Sequence, residues 1–262
     1  MKKLILSFIL FTGCTVNAQQ KGTIVYDDNV EVRQVPNFTA IKVSNAIDLY
    51  LTQSNETKVA VSASNDEIRD QIMTEVHDGT LIIKLKENGS WFNWKKWGNY
   101  KTKAYVSVKD IYAIIASGAS DVHILNQIES PKINIKLTGA SDLEGEFLST
   151  TLVFDLTGAS HCKAKVQSNT ISITSTGASQ IELTGNVDDL SAVVSGASDA
   201  KLYNLASKAA ILNSSGASNI KASVSELLKA NANGASSIDY KGNPNIKEST
   251  SSGASNIRRR GE

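Results

Sequence analysis

From residue 117 onward, apolar and polar residues alternate in short runs, and each run enters a small-residue tetrapeptide of the Ser-Gly-Ala-Ser kind. Ile133, Ile135 and Leu137 precede one such glycine, and Leu152, Phe154 and Leu156 precede the next. A period of two reads as strands with one buried face, which excludes helical repeats. The glycines are Gly118, Gly139, Gly158, Gly177, Gly196, Gly216, Gly234 and Gly253, in steps of 21, 19, 19, 19, 20, 18 and 19. A near-constant step of this size is the mark of a solenoid, and the leucine and asparagine signature of leucine-rich repeats is absent. The pattern predicts an all-β, parallel β-helix of about eight coils of about 19 residues.

Four residues after each glycine stand Val122, Leu143, Cys162, Ile181, Ala200, Ile220, Ile238 and Ile257, which form one inward column when the coils stack. Cys162 lies within it, so a small buried hydrophobe is expected rather than a reactive thiol. The next residues, His123, Glu144, Lys163, Glu182, Lys201, Lys221, Asp239 and Arg258, form an outward column in which opposite charges often neighbour each other. Such pairs favour register, at about 0.2–1 kcal/mol each. Each glycine is expected at a positive-φ corner, with its alanine pointing into the bend and Ser or Thr hydroxyls satisfying nearby backbone. Lys247, Ser249 and Ser251 occupy apolar positions of the last coil and read as a polar cap.

Before the ladder, Ile41 and Val43, then Ile47, Leu49 and Leu51, then Val59 and Val61 indicate short strands. Asp66 to Val76 fits a short helix or a coil edge. Leu81, Ile83 and Leu85 are expected to face Ala104, Val106 and Val108, with residues 86–103 projecting between them. That segment holds all three tryptophans, and Trp91, Phe92, Trp94, Lys95, Lys96, Trp97 and Tyr100 are the candidate binding residues. Flat aromatic faces stack on sugars or sit at membrane interfaces, and lysines meet anionic groups. The alternative is a lid over the open end of the solenoid.

Residues 1–20 carry Lys2 and Lys3, an apolar run from Leu4 to Phe11 and then small and polar residues, the layout of a secretory signal too short to span a bilayer. Cleavage after Ala18 competes with a lipoprotein box ending before Cys14, from which Phe11 departs. Either implies export, and a membrane association only through a lipid on Cys14. The divisions are therefore 1–18 as leader, 23–110 as a β-rich N-terminal part and 111–262 as the repeat region continuous with it. Losing Lys2 and Lys3 turns 27 basic against 26 acidic residues into 25 against 26, a net charge of −1, so no nucleic-acid partner is implied. Cys162 then has no intramolecular partner for a disulfide.

Three stretches resemble the putative auto-transporter adhesin, head GIN domain, family of exported Bacteroidetes-type proteins. They are Phe38-Thr39-Ala40-Ile41-Lys42-Val43, Ile47-Asp48-Leu49-Tyr50-Leu51-Thr52-Gln53 and Asp78-Gly79-Thr80-Leu81-Ile82-Ile83, followed by the ladder from Ser117. The resemblance implies a right-handed β-helix and no established activity or functional residue. The sequence has no Gly-x-Ser-x-Gly, dinucleotide, phosphate-loop or His-Glu-x-x-His motif, and no cofactor is implied. Asp121 and Asp142 are the one pair of acids on adjacent coils in the column after each serine. Turn capping is their expected role, with calcium binding the alternative. The function expected is a noncatalytic, adhesin-like binding scaffold of the cell envelope with a glycan or envelope protein as partner. A carbohydrate-active enzyme on the same scaffold and a purely structural envelope protein are the alternatives.

Overall fold

A computed structural model of the chain describes residue 27, residues 29–86 and residues 101–261. The leader, Cys14 and the candidate binding residues from Trp91 to Tyr100 lie outside the described residues. The N-terminal part comprises β1 (Val30–Arg33), β2 (Ala40–Val43), β3 (Ile47–Gln53), β4 (Lys58–Ala63), a helical turn α1 (Asp66–Arg69), β5 (Ile72–His77), β6 (Thr80–Leu85), β7 (Thr102–Val108), β8 (Ala113–Ala116) and β9 (Asp121–Ile124). Asn65 caps α1, its Oδ1 accepting from the Ile68 N–H at 2.9 Å, and Ile68 is buried.

The chain lays its first coil in the middle of a stack. β2 lies parallel between β6 and β8, with Ile41 opposite both Leu81 and Ile114. β3 lies parallel between β7 and β9, with Leu49 opposite Ala104 and Val122. β6 and β7 are therefore successive sides of one coil and do not face each other as the alternation suggested; the pattern reports burial but not the partner. Antiparallel strands finish that end: β4 pairs with β7, β1 with β4 and β5 with β6. They cover the parallel edge that would otherwise be open to other chains.

Beyond β9 the stack continues through β10 (Ile128–Leu137), β11 (Asp142–Leu156), β12 (His161–Ser175), β13 (Gln180–Val194), β14 (Asp199–Ser214), β15 (Asn219–Gly234), β16 (Ser237–Lys241), β17 (Asn245–Gly253) and β18 (Asn256–Arg259). The result is a parallel β-solenoid of about eight turns. The inward column follows the expected register from Val122 to Ile257. All but Ile257 in that column are buried. Cys162 sits between Leu143 and Ile181, and burial, aided by the Asp142 charge, pushes its thiol far above the ordinary range. Each fully buried Leu, Ile or Phe contributes about 1.5–3 kcal/mol. The outward pairs, such as Lys163–Glu144 at 3.6 Å and Lys165–Glu146 at 2.8 Å, are exposed and add register more than stability.

The ladder glycines have φ between +73° and +84°. From Gly139 to Gly253, a Cβ would meet the carbonyl oxygen of the preceding corner glycine at 2.5–3.0 Å. That carbonyl is occupied: Ala140 N–H donates to the Gly118 oxygen at 2.8 Å, and Ala159 and Ala178 repeat the bond on the following corners. The alanines do not point into the bend. Ala119, Ala140 and Ala159 are exposed, whereas Ser120, Ser141 and Ser160 are buried. The serine can turn inward because its hydroxyl finds a local acceptor, Ser141 Oγ donating to the Thr138 carbonyl at 3.0 Å and Ser160 Oγ to the Thr157 carbonyl at 2.8 Å.

The irregular steps have structural counterparts. Between β13 and β14 the register shifts after Glu182, and between β14 and β15 it shifts after Leu202 and again after Ser207, where the glycine steps are 20 and 18. At the far end, Ser249 and Ser251 stand opposite Ala230 and Ala232 and are exposed. Lys247 is displaced by a register shift, so Ile246, half-exposed, takes the place opposite Leu228 instead.

Candidate functional site at the capped end

Coils from β8–β9 onward pass from the first strand to the second through a tight corner. In the β6–β7 coil the two strands are instead joined by residues 86–101 of the chain, of which Lys86 and Lys101 are described. The foot of this segment is held on both sides: Lys86 N–H donates to the Gln71 carbonyl at 2.9 Å, and Lys101 N–H to Ser64 Oγ at 3.2 Å. A recess of about 400 Å³ lies beside it, lined by Asp27, Ser62, Ser64, Lys101 and Lys103 among others.

The sheet leaving this corner carries two columns of side chains. In the first, Lys103 is opposite Asp48, Leu49 pairs with Val122 so that Asp48 lies beside Asp121, and Asp121 is opposite Asp142. In the second, the Tyr50 ring stacks on Tyr105 with centroids 5.2 Å apart and on His123 with centroids 4.9 Å apart. Asp27 ties the columns together. Its carboxylate accepts from Lys103 Nζ at 2.8 Å, is hydrogen-bonded by the Tyr105 hydroxyl, and is held below the usual range chiefly by Lys103. Burial, with the Asp27 contact second, pushes the Tyr105 hydroxyl far up.

Asp121 and Asp142 are thus neighbours, and the structure adds Asp48, which spacing from the ladder glycines does not reveal. Burial raises Asp48 and Asp121, and the next acid along adds to it in each case. Among the described residues, no three His, Cys, Asp or Glu side chains gather as a metal site. The histidines do not converge either. His123 is stacked on Tyr50, His77 contacts Glu75 at 3.2 Å on β5, and His161 Nε2 is buried without a partner among the described residues.

The raised acids hold their protons more tightly folded than unfolded. Their contribution to stability is present at low pH and is lost as pH rises through the folded range. Asp121→Asn is therefore expected to melt above the parent at neutral pH, with the gap closing below the ordinary carboxylate range. Melts across pH check this, and a parent that is the more stable form at neutral pH would refute it.

The described residues contain no helix long and apolar enough to cross a membrane. Residues 37–244 match the family described as Putative auto-transporter adhesin, head GIN domain. The chain belongs to that family. No curated protein matches it in sequence. Among solved structures, the head GIN chain is similar to a putative lipid binding protein from Parabacteroides distasonis, with 23% identity and a TM-score of 0.79 over 89% of this chain and 98% of that one. It is also similar to a putative adhesin from Parabacteroides merdae, with 14% identity and a TM-score of 0.80 over 88% and 95%. A putative adhesin from Bacteroides fragilis gives 22% identity and a TM-score of 0.65 over 89% and 98%. At these identities the likeness establishes a shared fold and no more.

Proposed function

We propose that this head GIN protein is an exported, noncatalytic, adhesin-like scaffold of the bacterial cell envelope that binds a cell-surface glycan or an envelope protein through residues 86–101. The observation that carries this is positional: the segment holding every tryptophan joins β6 to β7 where later coils have a four-residue corner, and its described foot Lys101 lines a recess next to the stacked Tyr50 and Tyr105. A solenoid corner needs only four small residues, so sixteen residues rich in Trp and Lys serve something other than closure. Membership of an adhesin family supports a binding role. The leader at residues 1–20 supports export, with attachment to a membrane through Cys14 if the lipoprotein box is used.

Trp91, Trp94 and Trp97 are the chain's only tryptophans, so fluorescence excited selectively at tryptophan, beyond the tyrosine absorption, reports on this segment alone. Water-like emission with ready acrylamide quenching is expected, together with loss of glycan or envelope-protein capture in the triple Trp→Ala variant. Blue-shifted, protected emission would mean a lid and would remove the segment as the binding surface. Capture by phosphatidylglycerol vesicles in place of glycan or protein would reassign the partner to lipid.

A further inference from the structure

A second surface lies away from the capped end. At the other corner of the coils, a trench of about 500 Å³ crosses the stack from Leu148 on β11 to Asn243 after β16. We propose that this trench binds an extended, uncharged oligosaccharide whose sugar units run along the solenoid axis.

Four features point to that ligand class. The first is repetition: Leu148, Gln167, Asn186 and Ala206 stand opposite one another on successive strands, as do Ser149, Ser168, Val187 and Ser207. The trench therefore offers backbone positions in register every ~4.8 Å, with neighbouring amides at Gln167 and Asn186, which suits a linear polymer of small units better than a compact molecule. The second is charge: among the described lining residues Asp188 and Lys208 are the only ionisable ones, and they neutralise each other at 2.7 Å.

The third is hydrogen-bond chemistry. Gln167, Asn169, Asn186 and Asn243 make no side-chain hydrogen bond to other described residues, and an amide both donates and accepts, as a sugar hydroxyl does. Ser168 Oγ donates to the Thr170 carbonyl at 3.0 Å and Ser207 Oγ to the Ser223 carbonyl at 2.6 Å, and both are buried, so the amides are the polar groups left for a ligand. The fourth is backbone: the strands under the trench are paired on both sides, leaving no edge to which a peptide could add as a strand. The trench also coincides with the register shifts after Glu182, Leu202 and Ser207, and Gly242 in its wall has φ +95° where a Cβ would strike the Val224 carbonyl oxygen. Bulges of this kind are over-represented beside functional sites.

The test is calorimetric titration of the mature chain with cello-, xylo-, manno- and malto-oligosaccharides of two to six units, and with an oligogalacturonate. At least one neutral series is expected to bind, to tighten with length, and to weaken about tenfold or more in Ala206→Trp, which fills the trench from an exposed position. The paired change Asn169→Ala with Asn186→Ala is expected to weaken it similarly without adding bulk, and decides the matter if Ala206→Trp folds poorly. The triple Trp→Ala variant separates the two sites: sugar binding lost in Ala206→Trp belongs to the trench, whereas sugar binding lost in the triple variant and kept in both trench variants belongs to residues 86–101 and overturns the trench assignment. No binding by any neutral series, preference for the galacturonate, or indifference to the trench variants would overturn the assignment.

Discussion

Gly177→Val is expected to lower the melting temperature by on the order of 10 °C, whereas Gln180→Val three residues later shifts it little. The glycine has φ +84°, a conformation that costs a non-glycine residue about 1–3 kcal/mol and a β-branched one more. Its added Cβ would stand 2.6 Å from the Gly158 carbonyl oxygen, and that oxygen is the acceptor of the Ala178 N–H at 2.7 Å. Relief of the clash therefore parts the two corners and breaks the bond that joins them. The combined loss is about 3–5 kcal/mol. Gln180 lies on a regular strand and is half-exposed, where valine is well tolerated. Circular-dichroism melts of the two variants decide it, and equal losses would refute the role given to the corner.

Phe154→Ala is expected to cost about 3–5 kcal/mol, a loss comparable to that at the glycine but with a wider spatial footprint. The ring is fully buried on β11 between Ile135 of the coil before and Ile173 of the coil after. A solenoid coil contacts only its neighbours, so a cavity there weakens both interfaces at once. Ile257→Ala, on the half-exposed last coil, touches one interface and should cost about 1 kcal/mol or less. Amide exchange distinguishes the two: Phe154→Ala should speed exchange in β10, β11 and β12 together, while Ile257→Ala should act on β16 and β18. Confinement of the Phe154→Ala effect to β11 would contradict nearest-neighbour coupling.

The repeat region is legible in sequence because from Gly139 onward each ladder corner packs against the glycine before it and leaves no room for a Cβ, so the glycine spacing marks every turn. The inward column from Val122 to Ile257 follows from that spacing. Orientation within the corner is not legible: Ala140 and Ser141 are both small and suit turns, and only the acceptor at the Thr138 carbonyl decides that serine turns inward. The capped end is harder for a second reason. Its corner between β2 and β3 uses Asn45 and Ala46, with φ 66° and 57°, in place of glycine.

A signal for that coil does exist. Leu49 stands four residues after Asn45, as Val122 does after Gly118, and counting from Asn45 would have placed Asp48 in the same column as Asp121. The order of the coils, with β2–β3 between β6–β7 and β8–β9, has no counterpart in local pattern, since alternation fixes which face is buried and not which strand lies alongside. The trench left a trace in the glycine steps of 20 and 18, because a bulge adds a residue to one coil and a later one removes it.

The position of β2–β3 also governs reach. Antiparallel strands seal one end, and its coils are interleaved, so no turn can be added or removed there without rethreading the chain. Between Gly139 and Gly196 the turns keep a constant step of 19, and each insertion of one more such turn there would carry the free end about 4.8 Å further from the sealed one. The molecule can therefore act as a spacer adjustable in fixed increments, its tryptophan-bearing end constant while the length behind it varies.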